Sequence, residues 1–166
     1  MTRIIGIDPG LVNTGWGIID MEGSRLKFIA TGYIQTASSD DFANRLARID
    51  EGLNSAVKSY TPDFCAIEET FVNKNPSSTL KLGMARGAAI VCIARCGIPV
   101  AQYAAKFVKK AIVGTGRADK TQMGMMIRHL LKVSEKITAD QADALAVAVC
   151  HANFSNTSLL AHQRKA

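Results

Sequence analysis

The sequence has few of the residues from which zinc sites and disulfide frameworks are built, and no long apolar run from which a membrane span could be built. Its 166 residues include only four cysteines and three histidines, and no two cysteines stand in CxxC spacing. Every apolar run is shorter than the length that a membrane-spanning helix needs, which is about 18 residues. The first residues lack the basic-then-apolar order of a signal peptide. We therefore expect a cytoplasmic protein with reduced, buried thiols and no membrane span.

The composition also excludes a disordered chain and favours an anionic partner. Hydrophobic residues make up 48% of the chain and charged residues 20%, which is typical of a globular domain. The length fits a single core, and we find no internal repeat or linker. The 20 basic and 14 acidic residues give a net charge of +6. This excess is compatible with nucleic acid or an acidic membrane surface, and does not choose between them.

The hydrophobic pattern predicts a mixed α/β fold. Strands are predicted at 4–7, 14–19, 26–34, 64–67 and 98–103. Helices are predicted at 41–60, 76–96, 104–112, 120–131 and 138–152. The order indicates one mixed five-stranded sheet flanked by helices, because the first three strands have short connections and helices separate the others. We assign residues 1–153 to this domain and expect 154–166, a polar segment, to be a flexible tail.

Carboxylates stand at the ends of two predicted strands. Asp8 ends the first strand, and Glu68 and Glu69 end the fourth. A turn-forming aspartate before Pro9 and Gly10 explains Asp8 taken alone. Neighbouring strand residues face opposite sides of a sheet, so only one of the two glutamates shares the face of Asp8. The alternation by itself leaves open which one it is.

Two further carboxylates begin the last predicted helix. Asp140 and Asp143 are three residues apart, which places them about 60° apart around the helix axis. Thr138 and Gln141 have the spacing of a capping box and fix the start of this helix. Favourable placement of acids near the positive end of a helix explains Asp140 well. It explains Asp143 less well, because the residues around Asp143 are typical of a core.

Acids gathered without histidine or cysteine favour a site for hard cations. Carboxylates in one cleft repel one another, which raises their pKa values unless cations enter. Oxygen ligands suit Mg²⁺ or Mn²⁺ better than zinc. Two such ions can activate a water and stabilise the leaving oxygen of a phosphodiester. A basic rim around such a pocket would hold the nucleic-acid backbone.

Four ordered motifs resemble the RuvC family of bacterial Holliday-junction resolvases. They are IIGIDPG at 4–10, AIEETF at 66–71, LKLGMARGAAI at 80–90 and ADQADALAVAV at 139–149. The resemblance implies an RNase H-like fold, a homodimer, and a branch-migration helicase complex as partner. It also implies Mg²⁺-dependent symmetric nicking of four-way DNA junctions in recombination and repair. With the carboxylate chemistry above, we expect two Mg²⁺ ions per active site and Mn²⁺ as a substitute. By matching motifs, the catalytic and metal-binding acids are Asp8, Glu68, Asp140 and Asp143.

The same resemblance assigns roles to residues that composition leaves open. Phe71 matches a residue that stacks on bases, although packing against the following helix is the default interpretation of an aromatic here. Glu69 is often uncharged in the family, so we expect this extra carboxylate to alter local pKa values. Gly83 and Gly87 match the dimer interface, and the alternative is close packing of their helix on the sheet.

Basic residues near these motifs form the expected DNA-binding surface. Lys106, Lys109 and Lys110 share one helix face, and Arg117 and Lys120 flank a glycine-rich turn. Lys109 and Lys120 match basic residues that contact DNA near the cut phosphate. Solvated lysines are the ordinary alternative for any one of them. The full expected DNA-binding set is Phe71, Lys74, Lys106, Lys109, Lys110, Arg117 and Lys120.

Three other functions remain open at this point. A ribonuclease H on the same fold would cut the RNA strand of a hybrid. Half of a sugar-kinase or actin-like ATPase would need a second related domain, because those proteins carry two phosphate loops. A non-catalytic junction-binding module would bind junctions tightly and never cut them.

Overall fold

The computed structural model describes residues 1–69 and 75–163, with side chains through residue 155. The strands are β1 (Thr2–Asp8), β2 (Asn13–Glu22), β3 (Arg25–Gln35), β4 (Phe64–Glu68) and β5 (Val100–Tyr103). The helices are α1 (Phe42–Tyr60), α2 (Pro76–Arg95), α3 (Ala105–Val113), α4 (Lys120–Leu131) and α5 (Ala139–Gln163). The strands form a single sheet in the order β3-β2-β1-β4-β5. The predicted five-stranded mixed sheet flanked by helices is confirmed.

The sheet combines an antiparallel meander with a parallel half. β1 pairs antiparallel with β2, and β2 pairs antiparallel with β3. β4 lies parallel to both β1 and β5. Because parallel strands share their direction, β1, β4 and β5 end at the same edge of the sheet. At that edge, acidic residues of the strands can meet acidic residues of a helix.

Strand alternation divides the interior into two cores, one on each face of the sheet. Ile5, Ile7 and Ile67 point to the face covered by α1 and α2. Ile4 and Ala66 point to the other face, where they pack with α3, α4 and α5. Since strand residues alternate, Asp8 and Glu68 belong to this second face.

The helix α5 lies unusually close to the sheet because β1 and β2 carry glycines beneath it. A Cβ on Gly6 would overlap the carbonyl oxygen of Ala144, and one on Gly15 would overlap that of Asp140. Any larger residue would push the start of α5 away from the strand ends. These two glycines therefore set how near the acids of α5 come to those of the strands.

The structure differs from the sequence predictions at the boundaries of three elements and at one cysteine. β2 continues to Glu22 rather than 19, because Asp20 and Met21 still pair with β1. β5 begins at Val100 rather than 98, because Pro99 has no N–H for the ladder. α5 continues to Gln163, beyond the predicted tail boundary at 154, since 154–163 contains neither proline nor glycine to end it. Its Phe154 ring packs edge-on against Tyr103, with centroids 6.4 Å apart. The flexibility expected over 154–166 stays a prediction.

A further difference concerns the cysteines. All four thiols are free, and Cys65, Cys92 and Cys150 are buried as expected. Cys96 is exposed, because it caps the C-terminal end of α2. In 1–69 and 75–163, no helix combines the length and apolar content needed to cross a membrane.

Candidate active site

Two acids meet where β1 and β4 end side by side. The register pairs Ile7 with Ile67, so Asp8 and Glu68 are the next residues on the two strands. Glu68 follows Ala66 in the alternation and shares the face of Asp8, which packs toward α5. The register thereby places Glu68, and not Glu69, beside Asp8. The backbone N–H of Glu69 instead donates to the carbonyl of Tyr103, at 2.9 Å.

The capping box predicted for α5 is confirmed and fixes the other two acids. The N–H of Thr138 donates to Gln141 Oε1 at 2.8 Å, and the N–H of Gln141 donates to Thr138 Oγ1 at 3.3 Å. The helix therefore starts at a defined residue, one turn from Asp143. Asp140 lies in the first turn, over Gly15 of β2.

Three of the four acids and two lysines line one cavity of about 220 Å³. Its polar walls are Asp8, Glu68, Asp143, Lys109 and Lys120. Its apolar walls come from α3, α4 and α5. A larger open groove of about 680 Å³ between β3 and α1 takes no part in this cluster. Hereafter "the acid pocket" means the 220 Å³ cavity.

Asp8 is the acid most disturbed by its surroundings. Burial is the main cause that raises its pKa, to about 8 from an ordinary 3.8. The negative charges of Asp143, Glu68 and Asp140 raise it further, and Lys120 opposes them. All four candidate acids thus interact electrostatically at one place, as the sequence predicts. Burial and the neighbouring acids thus favour the protonated form of Asp8, and a bound cation would favour its ionised form.

The two neighbouring acids are affected in the same direction. Burial raises the pKa values of Glu68 and Asp143, and the positive charges of Lys109 and Lys120 oppose the increase. Lys120 Nζ lies 3.7 Å from Asp143 Oδ2. Glu69 is not among the charges that shift these acids, so the expectation that it alters their pKa values is not met.

The donor chemistry of the acid pocket suits a hard divalent cation. Its acidic donors are carboxylate oxygens alone, which Mg²⁺ and Mn²⁺ favour over softer metals. A cation would also relieve the repulsion that raises the pKa of Asp8. As the side chains stand, no three His, Cys, Asp or Glu residues in the described ranges are arranged to hold a metal ion. The acids are gathered, but they do not form a closed ligand cage.

The expected DNA-binding residues divide into three groups. Lys109 and Lys120 line the acid pocket. Lys106, Lys110 and Arg117 are exposed and lie outside its walls. The two remaining members of the set, Phe71 and Lys74, lie outside the described residues.

The glycines of α2 face away from the sheet. A Cβ on Gly83 or Gly87 would meet nothing within 4 Å, so close packing on the sheet is the wrong explanation for them. Ala85 and Ala89, on the opposite side of the helix, are fully buried in the core that α2 shares with α1 and the sheet. The glycines therefore leave a flat, open strip on the outer side of α2.

Sequence reasoning missed Gly6 and Gly15, although they decide how close α5 lies to the strands. A signal was available in the segment 14–17, where two glycines alternate with larger residues along a strand. Alternate glycines leave one strand face without side chains, which is typical of close backbone approach. Reading that pattern would have predicted a helix seated directly on β2.

Comparison with known proteins places this chain in a family. The sequence profile of the family described as "Crossover junction endodeoxyribonuclease RuvC" matches residues 4–151. The chain belongs to the RuvC family. A RuvC crossover junction endodeoxyribonuclease of Paramagnetospirillum magneticum is 52% identical over 155 residues, covering 93% of each chain. One from Caulobacter vibrioides is 53% identical over 153 residues, covering 92% of this chain and 90% of its own length.

The fold agrees with a solved member of the same family. RuvC of Thermus thermophilus in complex with a Holliday junction substrate matches with a TM-score of 0.89 and 29% identity. The match covers 95% of this chain and 97% of the other. The expected RNase H-like fold is confirmed, and the chain is a nuclease rather than half of an ATPase.

Proposed function

We propose that this chain resolves four-way DNA junctions in recombination and repair, using Asp8, Glu68, Asp140 and Asp143 as its catalytic acids. The observation that carries the site assignment is the acid pocket, where acids from β1, β4 and α5 converge beside two lysines. The RuvC relatives, and the Thermus thermophilus RuvC–Holliday junction complex, support the substrate. The reaction hydrolyses one phosphodiester in each of two opposed strands.

The same acids would hold divalent metal ions, and we infer two Mg²⁺ per active site with Mn²⁺ able to replace them. When bound, the ions would activate the attacking water and neutralise charge on the leaving 3′ oxygen. Asp8 contributes a carboxylate whose ionised form needs a cation nearby, because burial and three acids disfavour its charge. Glu68 and Asp143 flank it on the pocket wall.

The basic residues would position the DNA backbone around the pocket. Lys109 and Lys120 stand on its wall, within reach of a phosphate that enters it. Lys106, Lys110 and Arg117 would extend this surface outward. Phe71 and Lys74 are assigned to DNA binding from the family resemblance alone.

A second copy of this chain would pack against the outer face of α2. Leu80, Met84 and Val91 are 62%, 44% and 55% exposed, and they share one helix face with Gly83 and Gly87. Such an apolar strip is costly in water, and a twofold mate would cover it. Two active sites related by a dyad suit a substrate with two opposed strands to cut.

The cellular location and the protein partner follow from the proposed function. A junction-resolving nuclease acts where chromosomal DNA is, so we infer a cytoplasmic location, consistent with four free thiols. We also infer a branch-migration helicase complex as partner, because such a complex delivers the junction. No membrane partner is proposed.

The decisive experiment incubates purified protein with a synthetic four-way junction and Mg²⁺, and maps cuts on all four strands. Paired symmetric cuts in opposed strands are expected. A linear duplex and an RNA–DNA hybrid of the same sequences are the matched controls. Cutting of the RNA strand, or equal cutting of the linear duplex, would contradict the proposal.

Metal binding by the acid pocket has its own test. Adding Mg²⁺ is expected to raise the melting temperature of the wild type, because a ligand that binds only the folded state stabilises it. Asp8→Asn should lose most of this increase, while Glu69→Gln, next to the pocket and outside its walls, should keep it. Equal increases in all three proteins would mean that Mg²⁺ binds elsewhere.

A further inference from the structure

One side chain on α2 joins the ends of β4 and β5. Arg86 Nε donates a hydrogen bond to the backbone carbonyl of Glu68, at 3.0 Å. A terminal nitrogen of the same guanidinium donates to Gln102 Oε1. Glu68 is the last residue of β4, and Gln102 is the last but one of β5. Arg86 therefore bridges two neighbouring strands at the edge that carries the acid pocket.

Glu68 needs such support because the pairing of β4 with β1 stops before it. The register of β4 with β1 ends at the pair Ile7 and Ile67, one residue earlier. On the β5 side, the N–H of Glu69 still donates to the carbonyl of Tyr103. The backbone at Glu68 is thus held by β5 on one side, and its own carbonyl is held by Arg86.

Arg86 does not belong to the acid pocket. Its helix packs on the sheet face that carries Ile5 and Ile7, whereas the pocket lies on the face of α3, α4 and α5. Arg86 is absent from the pocket walls. Its contacts are with a carbonyl and an amide, so its effect on the pocket passes through the backbone of Glu68.

The planar fork of arginine suits this bridge. Two of its N–H groups point in fixed directions, so one side chain satisfies two acceptors on different strands. A charged donor also makes stronger hydrogen bonds than a neutral one. A lysine keeps the charge but offers a single nitrogen, and cannot reproduce the fork.

We propose that Arg86 is a positioning residue, which holds Glu68 in the acid pocket by fixing the end of β4 against β5. The proposal rests on the proposed function only for the role of Glu68 in cleavage. Active sites lose on the order of a hundredfold in rate when a reacting group is displaced by about 1 Å. Releasing the carbonyl of Glu68 should therefore slow cleavage without weakening the hold on DNA.

The test compares Arg86→Gln and Arg86→Lys with Arg95→Gln. Arg95 is an exposed arginine in the last turn of the same helix, so its loss removes the same charge away from the pocket. Three quantities are measured: amide hydrogen exchange at Glu69, junction affinity without divalent ions, and single-turnover cleavage over a Mg²⁺ titration. Gln102→Ala breaks the other end of the bridge and serves if the Arg86 variants fold poorly.

Arg86→Gln is expected to speed amide exchange at Glu69 and to slow cleavage by about tenfold to a hundredfold. It should also raise the Mg²⁺ concentration needed for half-maximal cleavage, since a displaced carboxylate binds the ion less well. Junction affinity should stay within about twofold of Arg95→Gln. Arg86→Lys should recover only part of the cleavage rate, because a single ammonium nitrogen cannot reproduce the fork that reaches both strands.

Two results would overturn the proposal: unchanged exchange at Glu69 in Arg86→Gln, or weakened junction affinity with a normal cleavage rate. The second result would make Arg86 a DNA contact. Failure of the proposed function is recognised separately, because wild-type protein would then leave junctions uncut. The exchange of the Glu69 amide would still report whether Arg86 holds the strand end.

Discussion

Lys120 and Asp143 form an ion pair across the acid pocket, with Nζ 3.7 Å from Oδ2. The pair joins the first residue of α4 to the second turn of α5. The lysine side chain is 74% exposed, so solvent screens the pair and it contributes little to folding. Its effect is on the acids, because Lys120 lowers the pKa values of Asp8, Glu68 and Asp143 against the influence of burial.

Replacing Lys120 with methionine should shift the acidic limb of the cleavage pH profile to higher pH. Without its charge the three acids hold their protons more tightly, so a higher pH is needed to ionise them. The measurement is single-turnover junction cleavage between pH 5 and 9. Lys58→Met removes an exposed lysine from α1, on the other face of the sheet, and should leave the limb in place. An equal shift of the limb in both variants would show that the net charge of the protein, and not the position of Lys120, sets the limb.

Asp8→Asn should stabilise the protein at alkaline pH when divalent ions are removed by a chelator. The pKa of Asp8 is about 8 in the fold against an ordinary 3.8. Its ionisation therefore opposes folding, with a penalty that is absent below about pH 4, grows up to pH 8 and is constant above that. The asparagine variant avoids the penalty, and we expect a gain on the order of a few kcal/mol at pH 8.

Chemical denaturation at pH 4 and pH 8 measures this difference. The advantage of Asp8→Asn should disappear at pH 4, where both proteins carry a neutral side chain at this position. Glu22→Gln, an exposed acid at the end of β2, is the control and should show no such pH-dependent gain. Equal stability of Asp8→Asn and wild type at both pH values would show that the site does not disfavour the Asp8 carboxylate.

Gly15→Ala should destabilise the fold and disturb the start of α5. The added Cβ would overlap the carbonyl oxygen of Asp140, so the helix must move. Overpacking of this kind costs about 1–3 kcal/mol. Gly124→Ala, within α4 and with open space around the new Cβ, should instead stabilise by up to about 1 kcal/mol. Denaturant titration of both variants checks the opposite signs, and a neutral Gly15→Ala would show that α5 is free to shift.

Met84→Glu should convert the proposed dimer into a monomer. Met84 lies in the middle of the exposed apolar strip of α2, and a buried charge there would have no partner. Sedimentation equilibrium gives the oligomeric state. Ser55→Glu adds the same charge to an exposed position on α1 and should leave the dimer intact. If both variants keep the mass of a dimer, the apolar strip of α2 is not the dimer interface.

The sequence predicted the fold well where the physics is local. The periodicity of α1 and the capping box of Thr138 and Gln141 depend on neighbours along the chain, and both were found as predicted. The start of β5 and the extent of α5 were wrong, because Pro99 and the packing of Phe154 on Tyr103 shift boundaries that the hydrophobic pattern alone does not mark.

By itself, the sequence determined the elements, the excess of basic charge and the family, because these follow from residue order and local chemistry. The family resemblance selected Glu68 over Glu69, and the tertiary structure supplied the physical reason, since the parallel register of β1 and β4 places Glu68 beside Asp8. Only the tertiary structure decided the raised pKa of Asp8 and the bridge from Arg86 to Glu68. Burial, charge proximity and hydrogen bonding between distant segments exist only once the chain has folded.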